Sequence, residues 1–159
     1  MRNSVVSAIG LDVGSKRIGV AGCDSTGLIA TGLTTVVRTN LPADLEALHT
    51  LILQRRAEVV IVGLPKNMNG SLGQQAQRTQ LFGTRLQEAL GVSVYYVDER
   101  LTTVQAERSM QRQGLSALKR RALIDQQAAA IILQQWLDIR RHQQLCPIQE
   151  SIDERDLNP

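Results

Sequence analysis

Short apolar runs separated by turn residues occupy the first quarter of the chain. Residues 5–12, 17–24 and 28–37 are rich in valine, isoleucine, threonine and other residues that favour strands. Gly14 and Gly27 lie in the short connections between these runs, where glycine permits a tight turn. Strands joined so closely run antiparallel to each other, so the pattern predicts a three-stranded meander.

Helical spacing alternates with strand signals over the rest of the chain. From Pro42 onward, leucine and isoleucine recur at positions 45, 48, 51 and 52, which predicts an amphipathic helix with proline in its first turn. Ser71 and Gln74 have the spacing of a capping box for a second helix, which ends at Leu90 before Gly91. The remaining predicted elements are strands at 57–62 and 92–97, a short helix from 102 to about 113, and a long helix from 117 to about 142.

This order of elements predicts an α/β fold. The helices that connect the third, fourth and fifth strands form crossovers, and a crossover joins parallel strands. We therefore expect a mixed five-stranded sheet, three antiparallel strands followed by two parallel ones, with helices on both faces. A chain of 159 residues fits one domain, which we expect to span residues 1–145, followed by a mobile acidic tail at 146–159.

Charge is unevenly distributed along the chain, whose formal net charge is +3. The tail has four acidic residues against Arg155, a net of −3, which leaves +6 on the rest. A basic body suits a polyanionic partner, although an excess of this size is also common in domains without one. No apolar run is long enough to span a membrane, and Asp12 and Lys16 interrupt any signal-peptide core, so we expect a cytoplasmic protein.

Three acidic residues fall where their neighbours should be buried: Asp12 ends the first strand, Glu99 follows the fifth, and Asp125 lies in the last helix among apolar residues. Sites of parallel sheets form at the carboxyl ends of the strands, where these side chains can meet. Carboxylates gathered without compensation repel each other and lose water, and a bound divalent cation removes that cost. Acidic oxygen sites suit Mg²⁺ or Mn²⁺, which usually serve phosphate chemistry. We therefore predict that Asp12, Glu99 and Asp125 are catalytic metal ligands.

Each of these acidic residues also has an ordinary structural interpretation. Asp12 is of a type common in turns. Asp98 and Glu99 are adjacent, so in an extended chain they point to opposite faces and only one can easily join the site; we choose Glu99. Asp125 could instead be a surface acid that pairs with Arg121 one helical turn earlier.

Basic residues around the predicted site are candidates for contact with a phosphate backbone, or are ordinary solvated side chains. Arg100 could contact phosphate or pair with a neighbouring acid. One Phe, one Trp and two Tyr give little support for base stacking, so phosphate contacts are the expected mode. The predicted nucleic-acid-binding residues are Lys16, Arg17, Arg100, Arg108, Arg112, Lys119, Arg120 and Arg121.

Four segments in order resemble the YqgF family of bacterial proteins, described as nucleases of pre-16S rRNA or as Holliday junction resolvases. They are residues 11–20 (LDVGSKRIGV), 63–71 (GLPKNMNGS), 98–103 (DERLTT) and 125–129 (DQQAA). The chain departs from the family at Lys66 and Asn69, where Leu and Asp are common; neither belongs to the acidic triad. The resemblance implies an RNase H-like fold, a cytoplasmic location and a role in maturing the 5′ end of 16S rRNA. It assigns the family's acidic residues to Asp12, Glu99 and Asp125.

These observations favour a metal-dependent endonuclease that acts on structured nucleic acid, either pre-16S rRNA or a Holliday junction. A resolvase should place two sites symmetrically and act as a dimer, whereas an rRNA nuclease can act as a monomer, the state we expect. A non-catalytic nucleic-acid-binding factor gains nothing from three repelling carboxylates. An actin-like ATPase, suggested by residues 12–15, needs two such domains to enclose a nucleotide, and this chain supplies one.

Overall fold

Five strands and three helices are formed by the described residues of the computed structural model, which are 6–65, 69, 71–98 and 116–145. The predicted helix at 102–113 and the predicted tail lie outside these residues. The strands are β1 Ala8–Val13, β2 Arg17–Cys23, β3 Ala30–Val37, β4 Val59–Leu64 and β5 Ser93–Asp98. The helices are α1 Leu41–Arg55, α2 Gln74–Leu90 and α3 Ala117–Leu145.

The strands form a mixed sheet in the order β3-β2-β1-β4-β5. β1 pairs antiparallel with β2, and β2 pairs antiparallel with β3. β1 and β4 are parallel, as are β4 and β5, because α1 and α2 return the chain to the same end of the sheet. The predicted fold class is therefore confirmed, with differences of at most three residues at the strand ends.

Alternation along β1 separates the two faces of the sheet. Ile9, Leu11 and Val13 belong to one apolar cluster, which includes residues of α1 and α2. Ala8 belongs to the other cluster, which includes residues of α3. Asp12 lies an even number of residues from Ala8, so it projects from the face that α3 covers. Helices on both faces were predicted, and this arrangement confirms them.

The helix ends follow local capping chemistry, with one correction. The Asn40 side chain accepts a hydrogen bond from the backbone N–H of Ala43 at 2.9 Å, which caps α1 just before Pro42. The capping box predicted for α2 is wrong, because the N-cap is Gly73, which makes no side-chain cap bond. Ser71 instead donates its hydroxyl to Asn69 at 2.6 Å, in the loop before the helix. Gly91 ends α2 with φ of 67°, as predicted.

Helix α3 lies unusually close to β1 and β2. A β-carbon added to Gly10 would lie 2.7 Å from the Leu133 β-carbon and 2.8 Å from the Ala129 carbonyl oxygen. One added to Gly19 would overlap the backbone carbonyl of Asp125. Glycine at these positions therefore allows the helix to approach the sheet backbone. Neither α3 nor another helix within the described ranges combines the length and the hydrophobicity that a membrane crossing requires.

Gly19→Ala tests this close approach. The new methyl group meets backbone rather than a flexible side chain, so α3 must move and we expect a loss of about 3 kcal/mol in the free energy of unfolding. Urea denaturation measures it. Gly22→Ala on the same strand is the control, because its methyl group meets the ends of the Arg55 and Leu33 side chains, which can shift. Equal losses in the two variants would contradict a backbone constraint at Gly19.

Candidate metal centre

Asp12 lies at the carboxyl end of β1, on the face that α3 covers. Its cross-strand neighbour in the antiparallel register is Gly19 of β2. Paired residues project from the same face of a sheet, and their β-carbons are separated by about 5 Å. Because Gly19 has no side chain, the backbone of α3 can lie directly against the sheet beside Asp12.

Asp125 of α3 occupies the position above Gly19. A β-carbon added to Gly19 would lie 3.0 Å from the Asp125 β-carbon. Combined with the cross-strand spacing, this geometry puts the β-carbons of Asp12 and Asp125 within about 8 Å of each other. Two of the three predicted ligands therefore lie near each other in the fold, although they are 113 positions apart in the sequence.

Arg17 is the ion-pair partner of Asp125. Its Nε donates a hydrogen bond to Oδ2 of Asp125 at 2.6 Å, and the two side chains are 30% and 18% exposed. The sequence pattern left Arg121 as the alternative partner; Arg121 is exposed. Arg17 and Gly19 lie two residues apart on β2, so both face α3 and the guanidinium reaches the carboxylate beside Asp12. Local helix spacing cannot reveal this contact, but alternation along β2 indicates which face Arg17 occupies.

Asp98 and Glu99 were the two candidates at the end of β5. Asp98 pairs in register with Leu64 of β4, and it alternates with Tyr96, whose hydroxyl donates to the Gln80 carbonyl of α2 at 3.2 Å. Asp98 therefore lies on the α2 side of the strand, opposite to Asp12. Glu99 itself lies outside the described residues.

Two of the three predicted metal ligands, Asp12 and Asp125, lie within the described residues. Among residues 6–65, 69, 71–98 and 116–145, no three His, Cys, Asp or Glu side chains form a group that could hold a metal ion. Asp12 and Asp125 supply two carboxylates of the kind that Mg²⁺ or Mn²⁺ prefers. The assignment of Asp12, Glu99 and Asp125 as metal ligands stays a prediction for all three residues.

The predicted basic residues divide into three groups by position. Lys16 is exposed in the turn between β1 and β2. Lys119 and Arg121 are exposed, and Arg120 is partly buried, in the first turns of α3, which lead directly to Asp125. These groups therefore lie at the carboxyl edge of the sheet or at the end of α3 that carries Asp125. Arg100, Arg108 and Arg112 lie outside the described residues.

The mixed five-stranded sheet with helices on both faces is the RNase H-like fold that the sequence motifs imply. A family model described as "RuvX: Holliday junction resolvase" matches residues 6–139. The chain belongs to this family of nucleases, which is the YqgF family named from the sequence motifs.

Relatives of high identity cover nearly the whole chain. A protein of Gloeobacter violaceus named "Putative pre-16S rRNA nuclease" is 65% identical over 97% of this chain and 97% of its own length. A protein of Trichormus variabilis with the same name is 55% identical over 86% of this chain and 90% of its own length. These values confirm the resemblance that the four motifs indicated.

Solved structures of low sequence identity share the fold. A Thermus thermophilus RuvC in complex with a Holliday junction substrate has a TM-score of 0.55 at 16% identity, and the match covers 86% of this chain and 96% of that one. A fowlpox virus resolvase with Holliday junction DNA has a TM-score of 0.53 at 10% identity, and covers 85% and 99%. At these identities, the two structures support the fold alone.

A double-mutant cycle measures the Arg17–Asp125 contact. Arg17→Met removes the guanidinium charge and keeps an unbranched apolar stem, and Asp125→Asn removes the carboxylate charge at the same side-chain length, so the double-mutant cycle isolates the pair. We expect a coupling free energy of about 1–2 kcal/mol, because the hydrogen bond is short, charge-assisted and partly shielded from water. Urea denaturation in EDTA gives the four free energies of unfolding.

A second cycle in the same chain serves as the control. Asp44 pairs with Arg38 at 3.1 Å, so Asp44→Asn combined with Arg17→Met should be additive. Coupling within about 0.3 kcal/mol of zero for Arg17 and Asp125 would show that the observed contact contributes nothing to the folded state.

Proposed function

We propose that this protein is a metal-dependent endonuclease that processes the 5′ end of pre-16S rRNA in the cytoplasm. The meeting of Asp12 and Asp125 at the carboxyl edge of an RNase H-like sheet is the observation that carries the proposal. The names of the relatives from Gloeobacter violaceus and Trichormus variabilis support pre-16S rRNA as the substrate.

Asp12, Glu99 and Asp125 would hold Mg²⁺ or Mn²⁺. The donor set fits such a cation, because Asp12 of β1 and Asp125 of α3 project from the same side of the sheet with their β-carbons within about 8 Å of each other. When bound, a cation of this kind acts as a Lewis acid at the phosphate and lowers the pKa of water.

The chain's own residues have separate tasks in this proposal. The carboxylates would hold the cation that accompanies the reacting phosphate. Attack of water on phosphorus breaks the bond to the 3′ oxygen, which takes up a proton, and this leaves a 5′-phosphate and a 3′-hydroxyl. Arg17 holds Asp125 through Oδ2, which fixes the direction of the carboxylate. Lys16, Lys119, Arg120 and Arg121, with Arg100, Arg108 and Arg112, position the phosphate backbone and carry no base information.

A Holliday junction is the second candidate substrate. The description of the matching family as a Holliday junction resolvase favours it. Resolution of a junction requires two symmetric cuts and therefore a dimer, whereas trimming of an rRNA end requires one site. We propose the monomer, in keeping with the rRNA substrate.

Substitution of the carboxylates tests the catalytic proposal. Asp12→Asn, Glu99→Gln and Asp125→Asn should each lower the cleavage rate at least a hundredfold, since each removes a charge that holds the cation. EDTA should abolish cleavage by the native protein. Mn²⁺ binding, measured by electron paramagnetic resonance, should weaken in the same three variants.

Asp138→Asn is the matched control for the carboxylate variants. Asp138 is an exposed acid on α3, thirteen residues after Asp125, and it accepts a hydrogen bond from Gln134. Its substitution should leave cleavage and Mn²⁺ binding unchanged. Native rates in Asp12→Asn would remove Asp12 from the mechanism, and native rates in EDTA would remove the cation.

Cleavage assays on two substrates distinguish an rRNA nuclease from a junction resolvase. We expect faster cleavage of an RNA that carries the 5′ precursor segment of 16S rRNA than of a four-way DNA junction, together with a monomeric mass by light scattering. Preferential, symmetric cleavage of the junction by a dimer would reverse the substrate assignment.

A further inference from the structure

A small cleft lies beside the end of β1, on the face opposite to Asp12. Its volume is about 210 Å³. Gly14 and Ser15 line it from the turn after β1, Arg38 from the segment after β3, and Gln75 and Arg78 from the start of α2. The candidate metal centre described above uses none of these side chains, although the predicted catalytic strand forms one wall of the cleft.

Arg38 is held rigidly in this cleft. Its Nε donates to Asp44 at 3.1 Å, Nη1 donates to the Gly14 carbonyl at 2.9 Å, and its guanidinium carbon lies 5.1 Å from the centre of the Phe82 ring. These bonds use two of the five N–H donors of a guanidinium. The rest of the group is fixed in place at the wall of the cleft, so the ordering cost of a further hydrogen bond is small.

Arg78 supplies a second positive charge in the cleft, and none of the ion pairs among the described residues balances it. Asp44 compensates Arg38, whereas Arg78 is exposed and belongs neither to that ion pair nor to the Arg17–Asp125 pair. The first turn of α2 contains no acidic residue. The cleft thus presents one excess positive charge and a preorganised guanidinium, which together suit a single anionic group with several acceptor oxygens.

The position of the cleft indicates where that anion comes from. Val13 lines the cleft, and the residue before it in β1 is Asp12. Adjacent residues in a strand face opposite sides of the sheet, so the cleft and the carboxylates flank one strand end. A polyanionic strand that crosses the carboxyl edge of the sheet reaches both sides.

We propose that this cleft binds one backbone phosphate of the nucleic-acid substrate, near the phosphate that is cleaved, through Arg78 and the fixed guanidinium of Arg38. The inference rests on the proposed nuclease function for its substrate class. The shared chemistry is that of a phosphate group, and the source assigned here is a phosphodiester of the substrate strand rather than a free anion.

Neutralisation of Arg78 tests this subsite through the affinity for nucleic acid, without any measurement of cleavage. Fluorescence anisotropy in EDTA, which prevents cleavage, measures the affinity for the fluorescein-labelled 16S precursor RNA and for a labelled four-way DNA junction. We expect Arg78→Gln to weaken binding of the preferred ligand about tenfold and to reduce the slope of log K against log salt by about one. Arg78→Lys should recover part of the affinity.

Arg85→Gln is the matched control, because Arg85 is exposed on the same helix, seven residues later, and does not line the cleft. Its effect should be several-fold smaller in both affinity and salt slope. Equal effects of Arg78→Gln and Arg85→Gln would overturn the subsite, and so would the absence of binding to both ligands by the native protein. Thermal unfolding confirms that the compared variants fold.

Single uncharged methylphosphonate linkages locate the bound phosphate. At one linkage the substitution should weaken binding to the native protein and leave binding to Arg78→Gln unchanged. Two results together would assign the cleft to a free anion and overturn the strand assignment. In the first, no single methylphosphonate linkage weakens binding to the native protein; in the second, inorganic phosphate stabilises the native protein but not Arg78→Gln. Because these readouts require no cleavage, inactivity of the native enzyme would count against the proposed function alone.

Discussion

The close approach of α3 to β2 determines where the acidic side chains meet. A β-carbon on Gly19 would overlap the Asp125 backbone, and Gly19 is the cross-strand neighbour of Asp12. Gly10 makes the same kind of close backbone contact with Ala129, which lies one turn further along the helix than Asp125. Backbone contact and the apolar residues of α3 therefore hold the helix in place. The acidic side chains do not supply this packing, so their charge can serve chemistry.

Arg17 changes the electrostatic argument for a cation. Two negative charges about 8 Å apart, which is the upper limit for the β-carbons of Asp12 and Asp125, repel each other by about 2 kcal/mol at an effective dielectric constant of about 20, whereas an ion pair at about 4 Å gains about 4 kcal/mol. The Arg17–Asp125 pair is closer than this, so it offsets the repulsion between Asp12 and Asp125. From the sequence, we had assigned the whole compensation to a cation. Under the proposed function, it is the third carboxylate, Glu99, that adds a charge for the cation to balance.

The sequence predicted the features that depend on local pattern and connectivity. The short connections and two crossovers predicted the mixed five-stranded sheet, and the apolar neighbours of Asp12 in a strand and of Asp125 in a helix indicated that these two acids lie near each other. It could not predict features that depend on how distant segments pack. The partner of Asp125 is Arg17, 108 residues away, rather than Arg121 on the same helix. Ser71 and Gln74 have capping-box spacing, yet Ser71 bonds to Asn69 and Gly73 begins the helix. In both cases, the pattern offered a valid local bond that the folded chain does not use.

The alternation of a single strand separates two kinds of chemistry at one edge of the sheet. Asp12 faces α3 and its carboxylates, whereas the next residue, Val13, borders the cleft of Arg38 and Arg78. Carboxylates on one face repel a phosphate that no cation accompanies, and guanidinium groups on the other face attract it. Under the proposed function, a substrate strand bound on the basic side would be held next to the carboxylates, whose charge a cation would compensate. Phosphate contacts carry no sequence information, and the chain has few aromatic residues for stacking, so under the proposed function recognition by this edge would depend on the shape of the nucleic acid.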